Sequence, residues 1–546
     1  MNRSVAAPRF DVWTAIALVL AAATLAPILV VTANLLRPSQ GIWSHLAATT
    51  LPVLVINTAL LMLGVGLSTA IIGTGTAWLT TMCRFPGRKL LTWLLVMPLA
   101  MPAYIVAYVV TDMLQFAGPV QSALRAGFGW GRGDYWFPDI HSLSGCVAML
   151  ALVLYPYVYL LARAAFLEQS TAALEAGRML GRGPWANFFG VALPLARPAI
   201  AGGTALALME TLGDFGAVQF FGVDTFTTAI YRTWFGMGNQ VAAAQLAAAL
   251  MGFVLLALAL EQLSRGGRRY HQGARRQRPP QALELAGVRA WAAALACFLP
   301  PALGFLLPLG RLAVLAAGED GGPSAGRLAG FAANSLTLAA SAALATLIVA
   351  LALGYAVRLR ASPLLQGLGR LAGLGYAVPG SVIAVGMLMP LAAIDNAVDR
   401  AMREAFGIST GLLLSGTILA LLVAYVVRFL ALAQSAVEAG LGRITPRMDE
   451  AARLSGAPPF ETLRRIHLPI LRPSLLVALL AVFVDVLKEL PATLIVRPFN
   501  FDTLAVRVYQ LASDERLGEA SLGALAIVAA GLVPVTILAA TLTRRR

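Results

Sequence analysis

Glu450-Ala451-Ala452, then Gly456, then Ile466-His467-Leu468-Pro469 repeats an earlier stretch of the same chain: Glu175-Ala176-Gly177, Gly181 and Val191-Ala192-Leu193-Pro194. The two glutamates, the two glycines and the two Leu-Pro steps share one offset, since 450−175, 456−181 and 469−194 are equal. Each copy sits in a basic loop between strongly apolar segments. A duplicated polar loop in such a setting predicts two equivalent docking surfaces for a pair of identical partners.

The setting is set by composition. The chain is 59% hydrophobic and 12% charged, with a mean hydropathy of +0.77, whereas soluble proteins carry about 25% charged residues. Long apolar runs between short basic loops read as a polytopic helical membrane protein. The net charge of +15 does not point to nucleic acid, because the arginines alternate between loops instead of forming a basic, aromatic-interleaved surface. Cys83, Cys146 and Cys297 form no CxxC pair and the four histidines are scattered, so neither a redox motif nor a metal cluster is readable.

Twelve spans are expected, at about 13–36, 54–81, 90–113, 143–166, 195–217, 240–262, 287–314, 333–357, 368–392, 410–432, 473–496 and 519–541. Each is long enough to cross about 30 Å of hydrocarbon. With the N-terminus in the cytoplasm, Lys and Arg favour the cytoplasmic loops more than twofold. The expected orientation therefore puts both termini and both repeated loops in the cytoplasm.

The repeat extends beyond the loops. Asn57-Thr58 matches Asn334-Ser335, and Pro102 matches Pro379, at an offset only slightly greater than that of the loops. Glu210 and Asp214 match Asp485 and Glu489 at the loop offset itself. The chain thus reads as an all-α polytopic membrane protein of twelve transmembrane helices in two homologous, parallel six-helix halves. The first is 1–263 with a core of about 54–262, and the second is 287–546 with a core of about 333–541. A basic cytoplasmic linker, 264–286, joins them. Parallel repeats place a pathway at the repeat interface.

Each repeated loop reads as a helix, a turn and a second short helix. Glu168 to Leu180 favours helix, Gly181 ends it and Pro184 restarts the chain; Gly456 and Pro458-Pro459 do the same in the second copy. Trp185 and Phe460 follow as apolar knobs suited to a partner's groove.

These residues resemble the EAA motif of ABC-importer permeases. The second copy carries the whole pattern; the first departs from it at Gly177 and Val191. The resemblance implies the type I (MetI-like) importer fold, with each loop docking on one of two ABC ATPase subunits. The docking residues it implies are Glu175, Ala176, Gly177, Gly181, Trp185, Leu193 and Pro194 in one half. In the other they are Glu450, Ala451, Ala452, Gly456, Phe460, Ile466, Leu468 and Pro469. ATP and Mg2+ would then sit on a separate ATPase chain, with no cofactor and no catalytic residue on this one. A check is internal: Lys89 and Lys488 are the two lysines, and neither completes the G-x-x-x-x-G-K-[ST] of a phosphate-binding loop.

Glu210 to Gly222, Thr227 to Tyr231 and Lys488 to Ala492 narrow the resemblance to the fused two-half permeases of bacterial ferric-iron importers. Related permeases carry thiamine, polyamines, sulfate or phosphonates. The resemblance implies import by alternating access, with a periplasmic substrate-binding protein on the outer loops and the chain in the bacterial inner membrane. No metal site is assigned. Glu210, Asp214, Asp485, Lys488 and Glu489 are expected at the translocation pathway or outer gate: four carboxylates near a pseudo-twofold axis attract a hard cation. Alternatively, the acids pair with Lys488, Arg232 or Arg497 and hold the gate closed. The rival from another class is an ion-gradient-driven secondary transporter, which would need no docked ATPase.

Overall fold

The computed structural model describes residues 12–38, 41–131, 133–169, 179–181, 183–265, 283–318, 325–359 and 362–544. Among them are twelve helices long and apolar enough to cross a membrane. The chain is nearly all helical. Its principal helices are α1 Val12–Ala33, α2 Leu51–Met82, α3 Ala103–Leu114, α4 Leu143–Glu168, α5 Leu193–Gly213 and α6 Gln240–Arg265. The second set is α7 Gly287–Pro301, α8 Ala325–Leu359, α9 Gly380–Phe406, α10 Ile418–Leu441, α11 Leu468–Leu487 and α12 Leu517–Arg544.

Several expected spans have different bounds: those at 195–217 and 473–496 end early, at Gly213 and Leu487, and three others differ for a local reason. The span expected at 90–113 breaks into Arg88–Leu94, a 3-10 turn at Met97–Ala100, and α3. The span at 368–392 breaks in the same way before α9. Met101 and Val378 are extended (ψ 122° and 126°), and the prolines that follow them, Pro102 and Pro379, cap α3 and α9. A residue before proline is driven out of the helical region, so the matched prolines set matched breaks. The span expected at 410–432 begins later, at Ile418. Asp395 on α9 accepts the main-chain N–H groups of Leu413, Leu414 and Ser415, and Thr417 caps α10.

Two compact units hold these helices. One comprises the described residues of Met1–Pro38, Thr233–Ala248 and Ala329–Leu504. In it α1 packs on α9, and α10 on α11. A Cβ on Gly386 would stand only 2.3 Å from the main-chain carbonyl oxygen of Pro27. The other comprises Ser39–Arg232, Ala249–Leu328 and Ala505–Arg546. Its centre is α4, with α2 and α5 against it. Gly73 and Gly203 let both neighbours close on Val158: a Cβ at either glycine would lie 2.6 Å from that residue. In lipid there is little hydrophobic gain between helices, so close backbone approach at small residues carries the packing.

Residues 266–282 of the linker lie outside the described residues. Its end, Leu283-Glu284, pairs in parallel with Cys83-Arg84, and Arg84 bonds Glu284 at 3.1 Å on the surface.

Candidate functional site

The second repeated loop is built as a short arm. Its helix, Pro446–Leu454, carries Glu450 and Ala451 exposed and Ala452 buried. Gly456 ends it at φ +76°, a conformation suited to glycine, and Ala457 N–H closes the end on the carbonyl of Ala452. The chain restarts at Pro459–Thr462, passes through a π turn at Leu463–His467 and runs on as α11. Ile466 and Leu468 are half-buried and Pro469 is exposed. Phe460 is 67% exposed and Leu454 90%, so the arm offers an uncovered apolar tip.

In the first copy, Glu175, Ala176 and Gly177 lie outside the described residues, as does most of the helix expected over 168–180. The rest follows the second copy step for step. Gly181 has φ +74°; Pro184–Asn187 is helical; a π turn spans Phe188–Ala192; Leu193 opens α5, with Pro194 in its first turn. The two π turns stand at the same offset as the two motifs. Trp185 is 70% exposed and Phe189 61%.

The second arm is tied down by a cluster of polar groups. In the second, Asp449 lies beside Glu450 and joins three elements. Its Oδ2 accepts from Nη2 and Nε of Arg358 on α8, at 2.7 and 3.1 Å. Its Oδ1 accepts from Nε2 of His467 in the π turn at 2.7 Å. Arg358 also donates to the carbonyls of Leu441 and Ile444, both at 2.9 Å, and the hydroxyl of Tyr355 donates to Pro459 O at 2.6 Å. His467 is 1% exposed, and Trp13 of α1 packs edge-on against Tyr355. Among the described residues of the first copy, Trp78 of α2 meets Phe188 at 4.7 Å and Phe166 at 5.5 Å. The amide of Gln169 donates to Ala192 O at 2.8 Å.

The sequence reading missed Asp449, Arg358, His467 and Tyr355 as a group. The available signal was Asp449 itself, an acid immediately before the motif's glutamate.

The acids divide into two kinds. Glu210 and Asp485 lie on α5 and α11, both half-buried. Asp214 and Glu489 fall past the helix ends, outside the helices although inside the spans expected at 195–217 and 473–496. Asp214 Oδ1 accepts from the N–H groups of Ala217 and Val218, at 2.8 and 3.2 Å. Glu489 accepts from Ala492 N–H at 2.9 Å, Thr493 N–H at 3.0 Å and the Thr493 hydroxyl at 2.7 Å. Each thus satisfies the free donors that open a short helix, Gly216–Phe220 or Pro491–Val496. Of the pairings left open by the sequence, Lys488 bonds Asp485 at 2.8 Å. Arg232 pairs instead with Asp224, and Arg497 with Asp502.

The matched asparagines serve matched turns: Asn57 donates to Asp224 O at 3.0 Å, and Asn334 to Asp502 O at 3.1 Å. The loop expected outside at 114–141 holds a helix, Pro119–Phe128. Beside it lies a cavity of about 400 Å³ walled by Phe116, Gln121, Tyr135, Phe137 and His141. Tyr135 donates to Gln121 and accepts from Arg125, which fixes that wall.

Comparison with known proteins gives this architecture a family. The family described as "Binding-protein-dependent transport system inner membrane component" matches the chain twice, over residues 69–263 and 346–546. An Fe(3+)-transport system permease protein, FbpB 2 of Haemophilus influenzae, is 27% identical over 491 residues, covering 88% of each chain. The molybdenum transport system permease protein ModB of Escherichia coli is 31% identical over 194 residues, 34% of this chain and 81% of its own. The sulfate transport system permease protein CysT of the same species is 29% identical over 150 residues, 28% of this chain and 51% of its own. With both copies of the family's domain in one chain and twelve helices fit to span a bilayer, the protein belongs to the inner-membrane components of binding-protein-dependent transport systems, as a fused two-half ABC-importer permease of the multi-pass type I kind.

Proposed function

We propose that this permease imports ferric iron, received from a periplasmic binding protein on the loops at 114–141, 218–239, 395–409 and 498–518. The observation that carries the substrate is extent: the match to the Fe(3+)-transport permease runs over 88% of both chains, through both halves. The molybdenum and sulfate permeases match about a third of the chain or less. Two ATPase subunits dock at the arms carrying Trp185 and Phe460. ATP closes them, the halves rock, and the pathway alternates its access. The chain supplies no catalytic group; hydrolysis of ATP with Mg2+ belongs to the partner. Both termini and both arms face the cytoplasm in this reading, as the positive residues require. An ion-gradient mechanism fits less well, since the family works with a binding protein.

A second reading, oxyanion import, is favoured by the 31% identity to ModB over 194 residues. Uptake in a strain lacking the gene decides between them. Labelled ferric iron should enter at wild-type rate only when the chain is restored, with molybdate, sulfate and thiamine uptake unaffected. Iron uptake indifferent to the deletion would overturn the reading, and loss of molybdate or sulfate uptake would replace it with the second.

A further inference from the structure

We propose that Arg428 is the intramembrane counter-charge of Glu489 and, through it, a positioning residue for transport that holds the break after α11 in place. Its part in transport rests on the import reading above; the charge couple itself does not.

Arg428 stands near the middle of α10. A charge at that depth in a membrane helix is costly, and it either pairs with an opposite charge or marks a pathway. Its Nη1 is buried and makes no hydrogen bond. What it faces is set by Gly380, the first residue of α9. A Cβ on Gly380 would lie 2.6 Å from Arg428 Nη1 and 2.7 Å from Glu489 Oε1. Guanidinium and carboxylate thus confront each other across a gap that a methyl group would fill. In a low-dielectric interior, opposite charges so placed attract strongly, and either one alone would be expensive to bury. Glu489 uses both oxygens on the start of helix Pro491–Val496. Thr493, which donates its hydroxyl to Glu489 Oε2, is met in turn by the hydroxyl of Tyr425. Tyr425 and Arg428 are three residues apart on α10 and share a face. That face reaches the cap twice, by a hydroxyl at Thr493 and by a charge across Gly380. The repeat shows that this is an addition to the cap. The positions matched to Gly380, Tyr425, Arg428 and Thr493 hold Ala103, Leu150, Val153 and Val218; the acid is kept, as Asp214. Three polar side chains around one acid are replaced together by apolar ones, and alanine stands where there is no guanidinium to admit. Glu489 directly follows the Asp485–Lys488 pair at the end of α11, so what steadies Glu489 steadies the turn that carries that pair.

Hydrogen exchange followed by mass spectrometry reads the couple without any transported substrate, in the permease held in nanodiscs with its ATPase. Arg428→Gln should speed exchange at the amides of Ala492 and Thr493 by about tenfold or more, as a loosened cap opens locally. The amides of Ala217 and Val218, capped by Asp214 in the other half, should keep their rate. Gly380→Ala, whose methyl would press on both charged atoms, should do the same and stands in if Arg428→Gln does not fold. In a Glu489→Gln background, Arg428→Gln should add nothing. Arg428→Lys, which keeps the charge, should hold the rate near wild type. Unchanged exchange at 492 and 493 in both variants, or an equal rise at 217 and 218, would overturn the couple. Uptake of labelled ferric iron by cells carrying the same variants tests the positioning role. Arg428→Gln should lower it about tenfold, and Arg428→Lys should recover it. Faster exchange with undiminished uptake would overturn the role in transport. A wild-type chain that carries no iron would remove the import reading and the role in transport with it, leaving the exchange result as it stands.

Discussion

Asp214 and Glu489, which occupy matched positions in the two halves, do the same structural work: each carboxylate accepts the main-chain N–H groups three and four residues further on. The acids just past the ends of α5 and α11 are therefore caps before they are anything else. Glu489 has the stronger hold, with an added bond from the Thr493 hydroxyl, and it is 4% exposed.

Glu489→Ala should lower stability by about 2 kcal/mol, the upper range for a lost helix cap, with stranded donors adding to the cost. Asp214→Asn should lose less than about 1 kcal/mol, because the amide oxygen still accepts. Thermal midpoints in detergent, read by tryptophan fluorescence, check the order. Equal losses would show that capping is not what these acids contribute.

Glu210 and Asp485 remain on the helices and are the better candidates for the pathway. Glu210→Gln and Asp485→Asn should each reduce iron uptake about tenfold, or roughly 1.4 kcal/mol, with the ATPase still bound. Unchanged uptake in both would take these acids out of the pathway. Asp485→Asn also breaks the 2.8 Å pair with Lys488.

Docking should depend on the exposed tips. Phe460→Ala and Trp185→Ala should each weaken ATPase binding by roughly 2–4 kcal/mol, as truncating an interface anchor does. Binding of the purified ATPase to the permease in nanodiscs measures this. Glu450→Ala should impair transport more than Glu175→Ala, given the fuller motif in the second copy; equal losses would make the difference at Gly177 and Val191 incidental.

Helix packing gives a fourth expectation. Gly203→Ala would place a methyl 2.6 Å from the Cα of Val158, a main-chain atom that cannot turn aside. Overpacking of this kind costs about 1–3 kcal/mol, and the yield of folded protein in membranes should fall. Gly75→Ala on α2, with nothing within 4 Å of its added Cβ, is the matched control and should be neutral.

Much of this architecture was legible because the repeat aligns one half on the other. The Pro102 and Pro379 pair was visible as a match, but that it breaks the expected spans follows only from the backbone before each proline. Hydropathy averages across such breaks, which is why 90–113 and 368–392 read as continuous. The start of α10 was misjudged for a related reason: residues 410–417 are apolar enough to pass for helix, and the acid that holds them, Asp395, lies on another helix. The clamp at Asp449 was hidden because its members are spread from 355 to 467, and no local pattern joins them. The docking residues themselves were named from the motif, and three of them, Glu175, Ala176 and Gly177, lie outside the described residues.

The π turns carry a consequence for angle. From Pro459 to Leu487 the chain is helical without a gap, so the compass bearing of Phe460 around the α11 axis follows from the number of residues between them. A π turn holds one residue more than an α turn, and one residue of α-helix is about 100° of rotation. Inserted into plain α-helix, that residue would turn the tip by such an angle; taken up inside the wider turn, it lengthens each arm and leaves the tip's bearing on its helix unchanged, at the same place in both copies of the repeat.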